Sequence, residues 1–318
     1  MSEQYRHSTV SVCIVTYNSA EDIEDCLHAV LKQSFPIASI VVVDNNSQDA
    51  TCELVERFVS RGVKFIRNEN NNGFAGGHNL ARSYTDSTYV LVLNPDVRLE
   101  RDYVLALVKF LDKHPEVGSA TGQLRLASDP ERMDSAGIAL RSDHNAYDLA
   151  AGEPAARWDQ AQEVFGVSGA AAMYRSTMME QIAYEGQFFD EVFFAYKEDV
   201  DVAWRARHYG WKAWYVPAAR AVHHRGWKTG GRKSIALFVR RHSYQNRFFV
   251  LIKNERRGKH WWKLLPLLLV KEGAKLGYIV LREPGLLACW PFIIKQLPDM
   301  WQKRKHMLAG RKSTSPGH

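Results

Sequence analysis

The chain has 318 residues, 46% of them hydrophobic and 24% charged, so it can bury a sizeable core and is not globally disordered. Its net charge of +7 is unevenly spread: residues 1–224 carry 21 Lys and Arg against 31 Asp and Glu, whereas residues 225–318 carry 21 against 4. The first ten residues lack the apolar core of an export signal, and Cys13, Cys26, Cys52 and Cys289 form no CxxC pair. No apolar run reaches the ~18–20 residues of a spanning helix, so a secreted disulfide scaffold, a zinc ribbon and an integral membrane protein are all disfavoured.

In chain order, Val10–Thr16 reads as a buried strand, and Ile23, Leu27, Val30 and Leu31 stripe a helix that Pro36 stops. Ile40–Val43 is a second strand, and Leu54, Val55, Phe58 and Val59 mark a second helix. Val63–Ile66 and Tyr89–Leu93 are further strands, and Tyr103–Leu111 a further helix. This alternation predicts an α/β fold with a mainly parallel, doubly wound sheet, which binds ligands beyond the carboxyl ends of its strands. The residues following each strand there are polar: Tyr17-Asn18, Asp44 to Ser47, Asn70 to Asn79, and Asn94-Pro95-Asp96. Each alone reads as a turn or cap; four such edges in one sheet suit a sugar nucleotide.

Several residues carry candidate chemistry. Asn72-Gly73-Phe74-Ala75-Gly76-Gly77-His78-Asn79 is expected as a glycine-rich loop that lets backbone approach a base or diphosphate, although it lacks GxGxxG spacing. Asp96, after Pro95, offers one carboxylate to a cleft, and one carboxylate with a diphosphate is a usual setting for Mg²⁺. Glu198, Asp199 and Asp201 crowd the start of a helix beside aromatic residues, which favours a raised pKa in a general base, while the helix N-terminus opposes it. Asp201 and Arg205 are spaced for a helix-surface ion pair, which leaves Glu198 and Asp199 for the cleft. His223 and His224 cannot both point the same way from one strand.

Taken together, these residues resemble the inverting glycosyltransferases of family 2. The motifs that carry the resemblance are Val15-Thr16-Tyr17-Asn18, Val43 to Ser47, Asn72 to Asn79, Asn94-Pro95-Asp96, and Glu198-Asp199-Val200-Asp201 with Arg205, over roughly residues 8–255. The resemblance implies a GT-A fold and is strongest to bacterial rhamnosyltransferases of O-antigen type assembly, with related galactofuranosyltransferases beside them. It assigns donor binding to Thr16, Tyr17, Asn18, Asp44, Asn46, Asn72, Gly73, Phe74, Gly76, Asn79, Asn94 and Asp96. Asp96 would hold Mg²⁺ or Mn²⁺ with His224, His223 being the alternative, and Asn94 stands where the family's DXD motif has its first acid. Asp199 would be the general base. Glu198, Ser168 and Gly169 would meet the acceptor, Glu198 also tuning Asp199. The implied donor is dTDP-L-rhamnose, with UDP-galactofuranose or UDP-GlcNAc as alternatives, and the implied acceptor is a lipid-linked glycan.

The expected layout is a catalytic domain over residues 1–255, with a donor half near 8–100 and an acceptor half near 101–255. A basic helical extension over 256–310 and a disordered tail over 311–318 complete it. In the extension, Leu264–Val270, Leu276–Leu281 and Leu286–Ile294 alternate with Lys and Arg and are punctuated by Trp261, Trp262, Trp290 and Trp301, a pattern suited to an anionic membrane surface. A helical subdomain packed on the core is the other reading. The expected place is the cytoplasmic face of the cell membrane, with no nucleic-acid partner and a homo-oligomer left open. A nucleic-acid-binding protein built on the basic third, and an inactive sugar-nucleotide-binding module, are the competing classes.

Overall fold

The computed structural model describes residues 8–141, 143–224, 235–255 and 259–310. Trp227 and the tail 311–318 lie outside the described residues, as do the side chains of Trp261 and Trp262.

The first half alternates as its apolar pattern predicts. β1 (Val10–Thr16), α1 (Ile23–Leu31), β2 (Ser39–Asp44), α2 (Thr51–Glu56), β3 (Val63–Arg67), α3 (Gly73–Arg82) and β4 (Tyr89–Leu93) lead to β5 (Val97–Leu99) and α4 (Tyr103–Lys113). The second half begins with β6 (Val117–Leu126), β7 (Asp129–Ser135), β8 (Ile138–Leu140), β9 (Ala146–Asp148) and β10 (Gln162–Val164). It continues through β11 (Ala171–Arg175), α5 (Ser176–Ile182), α6 (Glu198–His208) and β12 (Lys212–His223). Three helices follow: α7 (Leu237–Asn254), α8 (Lys259–Arg282) and α9 (Trp290–Gly310).

One ten-stranded sheet runs β10-β12-β6-β11-β4-β1-β2-β3, with β5 on β12 and β7 on β6. β3, β2, β1 and β4 are parallel, and β11 enters antiparallel between β4 and β6. Central strands are buried on both faces, as parallel strands under helices must be. Val12, Ile14, Leu91 and Leu93 pack with α1 and α4, whereas Cys13, Val90 and Val92 pack on the opposite side with Ala75 of α3 and Met178 of α5. Each fully buried aliphatic side chain contributes on the order of 1.5–3 kcal/mol.

Two elements differ from the expected pattern. The second helix ends at Glu56, a 3-10 turn covers Val59–Arg61, and Val59 is half exposed. Gly62, at φ +89°, supplies the left-handed step that turns the chain into β3. The Gly73–Asn79 segment is helical rather than a loop, and its glycines meet protein. A Cβ on Gly73 would collide with the Phe194 carbonyl, and one on Gly77 would come within 2.7 Å of Val15. These glycines allow α3 to pack tightly against β1 and the 194 loop.

Candidate active site

A cavity of about 830 Å³ opens at the carboxyl ends of the central strands. Phe74, Asn94, Asp96 and His223 line one part of it, and Ser168, Gly169, Glu198 and Asp199 another. Tyr147 and Asp148 of β9, Tyr196-Lys197 before α6, and Val239 and Ser243 of α7 complete the walls. The sheet order is what brings them together: Asn94 N–H donates to the Ala170 carbonyl at 2.8 Å, so the end of β4 sits beside the start of β11.

His223 is the histidine that meets Asp96. Its Nε2 lies 3.3 Å from an Asp96 oxygen, and its Nδ1 lies 2.7 Å from Asp134 of β7. Burial opposes the charged imidazole, but hydrogen bonds to Asp134 and Asp96 and their negative charges raise its pKa to about 9. The His224 side chain turns the other way, 3.7 Å from Asp22, while its N–H donates to the Asp96 carbonyl. The alternation along β12 thus reverses the order of preference, placing His223 in the cavity and His224 outside its lining. The Asp96 oxygen that is buried is the one the His223 imidazole faces at 3.3 Å, so the charged ring now occupies the position beside it. Among the described residues no cluster of three or more His, Cys, Asp or Glu side chains forms a self-sufficient metal cage. Asp96 and His223 would hold a divalent ion only once the ion displaces the proton on His223 Nε2, with a diphosphate and water supplying its other ligands.

The other expected donor residues do not line this cavity. Thr16, Tyr17, Asn18, Asp44, Asn46, Asn72, Gly73, Gly76 and Asn79 all lie outside its lining. Asp44 is 1% exposed and its carboxylate is occupied. It accepts from the Thr16 hydroxyl at 2.8 Å, the Ser47 N–H at 2.8 Å and hydroxyl at 2.5 Å, and the Cys52 thiol at 3.3 Å. It shapes the β1–β2 edge from inside. Asn79 likewise spends its amide on the segment before α6, donating to the Phe189 carbonyl at 2.7 Å and to Glu191 at 2.9 Å, and accepting from Phe189 N–H at 3.0 Å. Tyr17, Asn18 and Asn46 remain exposed on the neighbouring edge, the two asparagines in left-handed backbone.

The carboxylate end is set by α6. Asp199 accepts from Gly169 N–H at 3.2 Å, which ties it to the wall expected to face the acceptor. Burial pushes its pKa up, and the Asp148 charge adds to the rise against the hydrogen bond from Gly169 and the charge of Lys197. Glu198 is raised further, by burial first and by Asp199 second, and one of its oxygens is buried without a partner. Burial and the neighbouring carboxylate thus disfavour ionisation of Glu198 more than of Asp199.

Asp201 and Arg205 depart from the expected surface ion pair: the Asp201 side chain is 0% and the Arg205 side chain 4% exposed, 2.8 Å apart. Arg205 also donates to the carbonyls of Ile182 and Phe188. Asp201 receives Lys253 at 2.9 Å and Asn254 at 2.8 Å from α7. Lys253 reaches Asp190 as well, at 2.8 Å, and Lys303 of α9 approaches Asp190 at 2.8 Å. Sequence reasoning missed Asp134, Asp148, Asp190, Asn246 and Lys253, whose partners lie tens of residues away.

The sheet is mixed, with a cavity at its strand ends that is acidic on one side and faces a histidine–aspartate pair on the other. The family model for glycosyl transferase family 2 matches residues 11–182, more than half of the chain, and the chain belongs to that family. It is 23% identical over 219 residues to the poly-beta-1,6-N-acetyl-D-glucosamine synthase of Staphylococcus epidermidis, a match covering 69% of this chain and 50% of that protein. It thus spans about half the length of the curated relatives it matches. Among solved structures, it resembles the mannosyltransferase PcManGT from Pyrobaculum calidifontis in complex with GDP-Man and Mn²⁺ (TM-score 0.58, 19% identity, 99% of this chain and 89% of that one). It also resembles S. aureus TarS 1–349 in complex with UDP-GlcNAc (TM-score 0.58, 16% identity, 96% and 90%). These two likenesses establish the GT-A-like fold.

Proposed function

We propose that the protein is an inverting glycosyltransferase that moves a hexosyl group from a nucleoside-diphosphate sugar to a hydroxyl of a growing cell-surface glycan. One observation carries this reading: a single cavity joins Asp96 and His223 to Glu198, Asp199 and Gly169. Asp199 takes the proton of the acceptor hydroxyl, which attacks the anomeric carbon opposite the diphosphate and inverts it. Neutral Glu198 hydrogen-bonds the acceptor and keeps a second negative charge away from the incoming alkoxide. Asp96 and His223 hold the diphosphate end, where Mg²⁺ or Mn²⁺, when bound, offsets the charge of the leaving group. Phe74, packed edge-on against Phe189, forms an apolar wall beside the sugar.

Two donors are put forward. Asn94-Pro95-Asp96 favours dTDP-L-rhamnose, whereas the names of the relative and of the TarS complex favour UDP-GlcNAc. Purified protein with Mn²⁺ and a panel of nucleotide sugars, read by nucleoside-diphosphate release with and without acceptor glycans, separates them. Asp199→Asn abolishes transfer, by about 10²-fold or more, while donor binding by calorimetry stays within a factor of about two. Near-normal turnover of that variant would exclude Asp199 as the base.

The acceptor is proposed to be lipid-linked, met at an anionic membrane surface. Among the described residues no single helix is long and apolar enough to cross a membrane, although the bent pair Leu269–Arg282 and Pro284–Ala309 together pass by length and composition. Leu269, Val270, Leu281 and Ile294 are 60–80% exposed on these helices, within the segment that holds most of the chain's excess of positive charge. Apolar side chains edged by Lys and Arg suit a helix lying in the interface. Flotation of the full chain with phosphatidylglycerol vesicles tests this: Leu269→Asp with Leu281→Asp should abolish flotation and leave turnover on a soluble acceptor unchanged.

A further inference from the structure

The segment that delivers Glu198 and Asp199 into the cavity has an unfavourable backbone. Phe194, Tyr196 and Lys197 all adopt positive φ, at 61°, 71° and 70°, a conformation that costs a side-chain-bearing residue about 1 kcal/mol or more. Lys197, the residue immediately before α6, offers no side-chain hydrogen bond to cap it. Such a segment persists only where its surroundings over-determine it.

Three of the segment's carbonyls meet one side chain. Asn246 of α7 is fully buried, and its amide nitrogen donates to the carbonyls of Phe193 (2.8 Å), Ala195 (2.9 Å) and Tyr196 (2.7 Å). Two N–H groups serve three carbonyls, so one bond is shared. The amide oxygen of Asn246 accepts from Gln245 at 3.2 Å, which fixes which way the amide faces. The two remaining carbonyls of the segment are also satisfied: Phe194 accepts from Ala75 N–H at 3.0 Å, and Lys197 from Asp201 N–H at 3.0 Å. The segment is therefore held from the donor side by the first turn of α3 and from the far side by Asn246.

We infer that Asn246 is a positioning residue for transfer: by holding three carbonyls of residues 193–196 it keeps the left-handed segment in the one shape that aims Glu198 and Asp199 into the cavity. This rests on the reading of those carboxylates as the reacting groups. Asn246 has no place in the cavity lining and lies 64 residues beyond the end of the family-model match, so any effect on transfer would pass through the segment it holds. Asp cannot replace it, since an acceptor oxygen would face three carbonyls. Ala would take the amide donor from the Ala195 and Tyr196 carbonyls, while the Phe193 carbonyl would keep the Ala195 N–H at 2.7 Å.

The test compares the full chain with Asn246→Asp, Asn246→Ala and Gln245→Met, measuring kcat, donor KM, nucleotide binding by calorimetry and thermal midpoint. Gln245→Met keeps Asn246 but frees its amide to rotate. The expected result is a kcat lowered about 10- to 100-fold in the Asn246 variants, and less in Gln245→Met, with donor KM and nucleotide affinity within about twofold of wild type. Equal loss of kcat and nucleotide affinity, or a kcat within twofold of wild type in a folded variant, would overturn the inference. If both Asn246 variants fail to fold, Gln245→Met decides: unchanged kcat sinks the idea and a selective fall supports it. Asp199→Asn run in parallel keeps the two readings apart, because an active Asp199→Asn enzyme refutes the base assignment whatever Asn246 does.

Discussion

Asp199 faces Lys197 and Glu198 on its own segment, Asp148 from β9 and Tyr174 from β11, all within electrostatic reach. A general base works deprotonated, so the rate falls as pH drops through its pKa. Since that pKa is raised, the acidic limb of kcat should sit above the ordinary aspartate range near ~4. Asp148→Asn removes one of the charges that raise it and should move the limb to lower pH, a shift that a kcat–pH profile reads directly. Asp134 fixes the ring of His223 from behind, and Asp134→Ala should weaken Mn²⁺-dependent nucleotide binding by about 10- to 100-fold, measured by calorimetry with and without the metal. Asp96 after Pro95, and Glu198-Asp199 at a helix start, were singled out in the sequence because their identity and neighbours suit the chemistry, and they line the cavity. Asp134 and Asp148 were not, because an aspartate in a hairpin carries no local mark of the partner that folding brings to it. Asp44 and Asn79 show the converse: both stand in motifs read as donor-binding, and both spend their side chains inside the protein.

At the level of elements, strand positions were readable because buried parallel strands appear as continuous β-branched runs, and β1 is found where its pattern places it. The glycine-rich segment misled for an equally physical reason. Three glycines in eight residues suggest a loop, yet close helix packing needs the same missing Cβ. β11 was hidden too, since Ala171-Ala172-Met173 reads as a small-residue wall and nothing local announces a strand inserted antiparallel at the centre of the sheet. A further glycine shows how tightly the mixed half is built. β6 and β12 slip register between Val216 and Arg220, and a Cβ on Gly122 there would collide with the Ala219 carbonyl and approach the Tyr103 ring. Backbone in a sheet cannot yield as a flexible side chain can. Gly122→Ala should cost about 3 kcal/mol, seen as a lowered midpoint in urea unfolding without a change in the pH profile of the surviving activity.

Over the whole molecule, the contrast between acidic residues 1–224 and basic residues 225–318 was legible as charge, but their mutual dependence was not. Lys253 and Lys303 enter the acidic part and neutralise Asp190 and Asp201 in a buried network. Burial pushes both carboxyls up, and the nearby lysines, with Arg205 beside Asp201, outweigh it and hold both low. A carboxylate whose folded pKa lies below its unfolded value stabilises the fold at pH above the unfolded value near ~4, and loses that contribution as pH falls toward the folded one. Stability should therefore fall steeply below about pH 4. Lys253→Met should cost about 3–5 kcal/mol at neutral pH by leaving two buried carboxylates short of a cation, and should flatten the acid dependence, both measured by denaturant unfolding across pH.

The link between Lys303 and Asp190 also has a consequence in time. A ribosome releases this chain from its amino end, and by the point at which α7 is made the sheet and the carboxylates Glu198 and Asp199 already exist as polypeptide. The last cation of the network comes some fifty residues later, from α9. Asp190, which begins the segment leading to α6, thus receives its full set of partners only once α9 has been made. Maturation of the site is in this way tied to completion of the helices whose apolar side chains remain uncovered.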